Sequence, residues 1–526
     1  MSAAPVPRAE SKPHNVAGIL LKNSLSNAGG VIITSLIAAL MPPFLVHRLT
    51  PSVYGAWVLV LNLGAFVGYL DFGVQTAVSK FVAEHDAKGD HDGCGRCLST
   101  GLVMMGCAAL LGMVLTLALA WSVPELFRKM PPALYHDVRL SILFVGFSLS
   151  AGLSTSSFSA VFLGLQRYQV PTTITVISRV LYASVLCAAV AAHSSLVVMA
   201  ASVAAVNVLT SLTQIVAWKQ LAGHVRVKLF PVDTQRLGQM VRYCFVLTIW
   251  SMCMLVISGI DMTMVGHYAF AEVAYYAVAA APTTFMLVVI GGLMGPLLPA
   301  ASALSTQRSP EQMGAILLRT TRYMTILLML TGLPLLVAGY PALRLWVGSS
   351  YAVRGVPLLR VLLLANIVRQ LCGPYSTMVI ATAQQRLATV SSLVEGGVNL
   401  TCSIWLARHY GAIGVADGTL IGAFAGVGTH FVVSMHYTRN LQMSRLKLLL
   451  QGIVRPAAMA LPSIALAGKW WLSGPPTMTA AVWLSWSIAT FLVLALVSLT
   501  KVDRAELVQT VSGRIRRLTG PDRAAV

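Results

Sequence analysis

Long apolar runs separated by short polar breaks dominate the chain from residue 25 to residue 499. A helix needs about 20 apolar residues to cross a hydrocarbon core about 30 Å thick, and these runs reach that length. Continuous runs also differ from the segments of about ten alternating residues that a membrane barrel would show. We therefore expect an all-α polytopic membrane protein. The breaks predict about fourteen transmembrane helices, at residues 25–47, 54–80, 98–121, 138–165, 171–192, 196–219, 242–266, 272–301, 317–340, 354–382, 387–408, 412–436, 454–473 and 478–500.

Charge changes this picture little. Charged residues make up 10% of the chain and hydrophobic residues 56%, whereas a soluble domain has about 25% charged residues. This composition leaves no room for a conventional soluble enzyme domain. The formal net charge of +20 comes mainly from short loops and the C-terminal tail, as the positive-inside rule expects. We therefore predict that both termini are cytoplasmic and that the chain does not bind nucleic acid.

The chain repeats itself at a shift of about 220 residues, which superposes two sets of six helices. His47 then meets His267, and the helix end at 164–167 meets 383–386. Because each set holds an even number of helices, we expect parallel repeats related by a pseudo-twofold axis along the membrane normal. The predicted parts are a cytoplasmic segment at 1–22, a six-helix bundle at 23–220, a cytoplasmic linker at 221–240, a second bundle at 241–440, two additional helices at 441–500 and a basic cytoplasmic tail at 501–526.

Polar side chains inside the spans are functional candidates because burying them in lipid is costly. Arginine suits phosphate, since its planar fork forms paired, charge-assisted hydrogen bonds. Asn366, Arg369 and Gln370 are three and four residues apart and so share one helix face. We predict that they line a substrate-binding cavity together with Arg179. The alternative is that these arginines form buried ion pairs or extend to the membrane surface.

Acidic side chains in the spans form the second candidate set. Asp71 lies in a polar segment, 71–76, that interrupts the second apolar run. Discontinuous helices recur at ion and substrate sites of transporters. We predict that Asp71, Asp261 and Glu395 serve either ion coupling or helix packing. Pairing of an arginine with Asp261 or Glu395 remains open at this point.

No motif predicts catalysis, a metal or a cofactor. The sequence holds no phosphate-binding loop of the G-x-x-x-x-G-K-[ST] type and no constellation of nucleophile and base. Cys94 and Cys97 form a C-x-x-C pair near His85 and His91, but a zinc site usually needs a second pair at defined spacing. We therefore predict a transport protein without a catalytic residue.

Several stretches resemble the signature of Wzx-type polysaccharide and O-antigen flippases. In the first half these are LTPSVYGAW at 49–57, GYLDFG at 68–73 and VSKFVAE at 78–84, and in the second half GIDM at 259–262 and VGHY at 265–268. These flippases belong to the multidrug/oligosaccharidyl-lipid/polysaccharide exporter superfamily. The resemblance covers about residues 20 to 440. It implies a bacterial inner-membrane protein that uses alternating access to export an oligosaccharide linked to undecaprenyl diphosphate. The partners that it implies are membrane lipids and, as candidates, polysaccharide polymerase and export machinery.

Two other functions compete with this one. A cation-coupled multidrug or toxin extruder uses the same fold, but its cavity should be more apolar and acidic. A membrane glycosyltransferase or polysaccharide polymerase usually needs a sizeable external loop, whereas the longest external breaks, 122–137 and 341–353, are short. Export needs no ATP if about two negative charges cross an inside-negative potential of about 100 mV, because the potential contributes roughly 4 to 5 kcal/mol.

Overall fold

The computed structural model describes residues 16–227, 234–295, 297–305 and 307–459, with a few more between 461 and 493. Throughout these residues the regular structure is helical, and no strand occurs among them. Nine helical stretches in this part of the chain are long and apolar enough to cross a membrane. The all-α polytopic fold is therefore confirmed. The predicted helices at 454–473 and 478–500 and the basic tail lie largely or wholly outside the described residues.

The chain divides into two compact units, Met1–Met252 and Cys253–Val526. Among its described residues the first unit contains eight helices of more than ten residues, and the last of them crosses the boundary by two residues: α1 Val16–Val46, α2 Pro51–Phe66, α3 Val74–Asp86, α4 His91–Trp121, α5 Tyr135–Gly164, α6 Gln169–Ala191, α7 Leu196–Leu221 and α8 Thr234–Met254. The second unit continues with α9 Asp261–Ala269, α10 Val273–Met294, α11 Leu297–Ser305, α12 Pro310–Val337, α13 Gly339–Val347, α14 Ser349–Gln370, α15 Gly373–Ala381, α16 Gln385–Tyr410 and α17 Ala412–Thr429.

Local sequence signals set several helix starts. Thr50 accepts a hydrogen bond from the Val53 amide just before α2, and Pro51 occupies the first turn, where its missing N–H costs nothing. At the start of α12, Ser309 and Gln312 form a reciprocal capping box. Each cap satisfies backbone N–H groups that would otherwise lack partners at the helix end.

Small residues allow close helix packing in each unit. A Cβ atom added at Gly101 of α4 would lie 2.3 Å from a Val78 methyl of α3. One added at Gly418 of α17 would lie 2.2 Å from the Ser403 hydroxyl of α16. Membrane helices associate through such contacts because lipid supplies no hydrophobic drive between them.

The second predicted span is broken, as its polar segment indicated. A 3₁₀ turn, Val67–Asp71, separates α2 from α3, and Phe72 and Gly73 are both left-handed, with φ of 48° and 76°. Only glycine fits comfortably at the second position, where an added Cβ would also lie 2.5 Å from Leu247 Cδ1. Asp71 Oδ1 accepts a hydrogen bond of 3.2 Å from the Gln75 amide. The carboxylate therefore caps the half-helix that follows the break.

Three π-helical turns occur among the described residues of the second unit, and two of them lie on either side of α9–α17. Leu255–Gly259 precedes α9, and His430–Ser434 follows α17. The ring of buried His430 lies within hydrogen-bond distance of Ser376 and Ser391, 3.3 Å and 3.0 Å from their hydroxyl oxygens. A π turn is a local widening of the helix and is common at functional sites. Through the contacts of His430, this turn links α15 and α16 to the segment after α17.

Candidate substrate cavity and buried charge cluster

A cavity of about 510 Å³ lies within the first unit, between α2, α5, α6 and α7. Arg179 and Tyr182 line it from α6. The remaining wall is mainly apolar, with seven uncharged polar side chains: Ser148, Thr155, Ser156, Asn207, Thr210, Ser211 and Gln214. This cavity therefore combines one cation and several hydrogen-bonding groups with a mainly apolar wall.

The walls of the cavity are held by internal hydrogen bonds. The Asn207 amide donates to the Ser148 hydroxyl at 3.0 Å, and the Ser178 and Thr210 hydroxyls lie 2.7 Å apart. These contacts tie α7 to α5 and to α6. Arg179 takes no part in them. The cavity is therefore formed without using its cation as a structural support.

Two groups in this cavity are left for a ligand. Within the described part of the chain, the Arg179 guanidinium has no hydrogen-bond or ion-pair partner, and its charge acts on nearby Tyr182. The Gln214 amide oxygen is buried and accepts no hydrogen bond from the described residues. A buried polar atom without a partner is costly. A ligand with an anionic group and a hydrogen-bond donor would satisfy both.

In the second unit, Arg369 is already paired. Its Nε donates to Glu395 Oε1 at 2.5 Å, and its Nη1 donates to Asn366 Oδ1 at 3.1 Å. Both members of the ion pair are largely buried, with side-chain exposures of 17% and 11%. Asn366 and Arg369 thus meet as their helical spacing predicted. Gln370 lies apart from these bonds, and a Cβ added at Gly373 would lie 3.1 Å from its side-chain oxygen.

Asp261 completes a buried charge cluster with this pair. Its Oδ2 accepts hydrogen bonds from Thr419 at 3.0 Å and from Tyr276 at 3.4 Å. Its Oδ1 has no partner among the described residues, and Arg369 acts on it electrostatically. One guanidinium therefore serves two carboxylates, Asp261 and Glu395. With all three groups ionised, the cluster carries an excess negative charge that a proton or a cation would balance.

The partners of Asp261 were not foreseen from the sequence. Thr419 lies 158 residues from Asp261 in the chain. Its hydroxyl also donates to the Val415 carbonyl of its own helix, as threonine hydroxyls in helices commonly do. Its spacing therefore carries no distinguishing signal. Tyr276 lies within an apolar run, so the sequence indicates only that it packs in the protein interior. A polar link of the same kind joins α16 to the π turn before α9, where the Asn399 amide donates to the Ile257 carbonyl at 2.9 Å.

The C-x-x-C pair is part of the packed interior of the first unit. Cys94 and Cys97 are both buried, and the Cys94 thiol contacts the Val82 carbonyl at 3.5 Å. His85 bonds instead with Asp90, at 2.8 Å. Among the described residues, no group of three or more His, Cys, Asp and Glu side chains is arranged to hold a metal ion.

Comparison with known proteins places the chain in a family. Residues 20–305, more than half of the chain, match the family described as polysaccharide biosynthesis protein. The chain belongs to this family. As a member of the polysaccharide biosynthesis family, it matches the expectation drawn from the signature stretches of its first half, and it is consistent with a Wzx-type protein. No curated protein matches the chain.

Solved structures show the fold that this member of the polysaccharide biosynthesis family adopts. A lipid II flippase, MurJ, in an inward closed conformation has a TM-score of 0.69 at 14% identity, covering 91% of this chain and 98% of the flippase. An inward-facing multidrug resistance MATE family transporter of the MOP superfamily has a TM-score of 0.63 at 15% identity, covering 77% and 97%. A MATE transporter from Vibrio cholerae has a TM-score of 0.57 at 13% identity, covering 79% and 95%. The exporter fold that the resemblance implied is confirmed.

Proposed function

We propose that this protein moves an oligosaccharide linked to undecaprenyl diphosphate from the cytoplasmic to the outer leaflet by alternating access. The observation that carries the proposal is the unpaired Arg179 beside hydrogen-bonding side chains in the cavity of the first unit. Membership of the polysaccharide biosynthesis family supports a glycan as the cargo. The fold shared with a lipid II flippase supports a lipid-linked form of it.

The cavity offers what the polar head of such a substrate needs. Arginine binds diphosphate through paired, charge-assisted hydrogen bonds. Sugar hydroxyls need donors and acceptors, which Asn207, Gln214 and the surrounding serines and threonines supply. A volume of about 510 Å³ falls within the usual range of about 300–1,000 Å³ for ligand pockets. A diphosphate and its first sugars would fit, while the polyprenyl chain stays in the lipid.

The two predicted arginines then have different roles. Arg179 contacts the diphosphate, whereas Arg369 holds Glu395 and Asp261 in the buried cluster. We assign ion coupling to that cluster, because its excess carboxylate charge changes when a proton or cation binds. The inside-negative potential supplies about 4 to 5 kcal/mol for two exported negative charges. A coupling ion would reset the carrier after release.

Translocation in proteoliposomes tests the proposal. A labelled, diphosphate-linked oligosaccharide is added with an imposed potential, and its appearance in the opposite leaflet is followed by enzymatic cleavage. Arg179→Gln should slow translocation at least about tenfold, since one charge-assisted pair is lost. Arg128→Gln removes the same charge from an exposed position in this unit and should stay within about twofold of the original rate. Equal rates for both variants would refute the role of Arg179.

A drug extruder remains the second candidate, because Asp261 has an unfilled carboxylate oxygen and the chain shares the fold of MATE transporters. The same vesicles distinguish the two functions. Ethidium movement driven by a sodium or pH gradient and abolished in Asp261→Asn, with no movement of the oligosaccharide lipid, would establish extrusion instead.

We further propose the bacterial inner membrane as the location, with both termini in the cytoplasm, and polysaccharide polymerase and export machinery as partners. The concentration of basic residues in predicted cytoplasmic loops supports this orientation. Alkaline phosphatase fused to the C-terminus should be inactive, because that enzyme needs the oxidising periplasm. An active fusion would reverse the proposed topology.

A further inference from the structure

A second, larger cavity lies in the second unit. Its volume is about 870 Å³. It is formed where α15 turns into α16 and where the chain leaves the π turn after α17. Arg386 and Arg439 line it from these two segments, with Tyr437 beside them. It contains none of the residues of the buried charge cluster.

Hydrogen bonds hold the two walls of this cavity together. The Arg439 amide donates to the Gln384 side-chain oxygen at 3.3 Å, and the Asn440 side chain donates to the Thr382 carbonyl at 3.4 Å. The two guanidiniums take no part in either contact. In the described part of the chain, neither the Arg386 nor the Arg439 guanidinium has a hydrogen-bond or ion-pair partner, and no carboxylate lines the cavity. Gln384 Nε2 is buried and also lacks an acceptor there.

The first unit contains the same kind of turn, but its arginine is used structurally. Gln166 and Ala383 each have a left-handed backbone, with φ of 57° and 60°, at the ends of the corresponding helices α5 and α15. In the first unit, Arg167 Nη1 donates to the Leu221 carbonyl at 2.8 Å and so caps the end of α7. In the second turn the residue that directly follows the left-handed one is Gln384, which accepts a hydrogen bond from the Arg439 amide. Arg386 lies two residues further on and makes no such contact. The structure therefore gives the cationic groups of the second turn no supporting role.

These observations point to an anionic ligand. Two guanidiniums without counterions and an amide donor without an acceptor all suit phosphate oxygens. The cavity also lies at the start of α16, whose backbone dipole favours negative charge there. In the predicted orientation it faces the cytoplasm, and its residues adjoin the ends of the predicted spans 354–382, 387–408 and 412–436.

We propose that the Arg386–Arg439 cavity binds the phosphate or diphosphate headgroup of a membrane lipid. Binding of a phosphate headgroup does not depend on the proposed function. Its use as the site that first receives the diphosphate of the carrier lipid does rest on that function. The site would then hold the substrate head at the membrane surface before it reaches Arg179.

Binding to the full chain in phosphatidylcholine nanodiscs tests the site. Every protein carries Arg179→Gln, so that the cavity of the first unit does not contribute and the outcome is independent of the transport assay. Farnesyl diphosphate and inorganic pyrophosphate serve as probes, and thermophoresis measures their affinities. The test variant is Arg386→Gln with Arg439→Gln. The control, Arg308→Gln with Lys447→Gln, removes two exposed charges that do not line the cavity.

The control should bind farnesyl diphosphate as its parent does, and the test variant at least about tenfold more weakly, which corresponds to about 1.4 kcal/mol. Weaker binding of this probe when about 30 mol% phosphatidylglycerol is present would identify anionic phospholipid as an occupant. Unchanged binding would identify a diphosphate-selective site, and equal binding of pyrophosphate would show that the headgroup alone suffices. Equal affinities of the test and control variants, or no binding by the parent, would overturn the proposal.

Discussion

The buried pair of Arg369 and Glu395 allows a quantitative test of the second unit. Glu395→Gln removes one carboxylate and leaves the guanidinium in a site where its side chain is 17% exposed. Removing one member of a buried ion pair usually costs about 3–5 kcal/mol, because the remaining charge stays desolvated. Here Asp261 still acts on Arg369, and Asn366 still accepts its Nη1 bond. We therefore expect a loss of about 3 kcal/mol, near the lower limit.

Replacing both members should cost less than removing one. In Arg369→Met with Glu395→Leu neither member of the pair leaves the other unpaired, although Asp261 then loses its cationic neighbour. The double-mutant cycle should give a coupling energy of at least about 2 kcal/mol. An exposed pair serves as a control, namely Lys80 and Glu84 at 3.9 Å, with side chains 47% and 50% exposed. Removing one of its charges should change stability by less than about 1 kcal/mol.

Equilibrium unfolding in mixed dodecylmaltoside and SDS micelles, followed by circular dichroism, measures these differences. The second unit must unfold reversibly for the free energies to be compared. If Glu395→Gln is no less stable than the control variant, the pair is not a buried support. The reasoning would also fail if the double variant lost as much stability as the sum of the two single variants.

Three further predictions concern other parts of the chain. Gly73→Ala should destabilise the protein by about 1–3 kcal/mol, because its left-handed backbone and close packing both oppose a Cβ atom; thermal unfolding in detergent measures this, and an unchanged midpoint would contradict it. Thr419→Val removes a hydrogen bond to Asp261 and should reduce stability by roughly 1.5–3 kcal/mol if that carboxylate is ionised, as unfolding in SDS would show; a loss below that of Glu84→Gln would indicate a protonated group. The Gly93 amide, donating to Asp90, holds the pKa of that exposed carboxyl below its usual 3.8. The stabilisation that ionised Asp90 gives the folded state is therefore present above pH 3.8 and lost as the pH falls through the lower, folded-state pKa. Asp90→Asn should flatten this part of the acid-unfolding profile, and an identical profile would refute the assignment.

The helical architecture was accessible from the sequence because apolar length directly reflects membrane thickness. The break at Asp71 was also visible, since polar residues interrupt an apolar run there. The π turn before Asp261 was not, because Leu255–Gly259 is as apolar as a regular helix. Hydropathy reports burial in lipid but not the number of residues in a turn.

The site was only partly predictable for a related reason. Spacing along one helix correctly grouped Asn366 with Arg369. The identity of the partner of Arg369 depends on how α14 packs against α16, which a single sequence does not encode in any local pattern. Glu395 and Asp261 were both plausible partners, and the structure shows direct bonding to the first and an electrostatic interaction with the second. The assignment of these residues to substrate binding or coupling stays a prediction.

The π turn at His430–Ser434 also acts as a rotational spacer for everything that follows it. One residue more or less in a helix turns the downstream side chains by about 100°. Shortening this turn by one residue would swing Tyr437 and Arg439 away from the turn that carries Arg386, although none of the three would be altered. A single-residue deletion that removes no charge would therefore separate the two arginines, so that they no longer line one pocket.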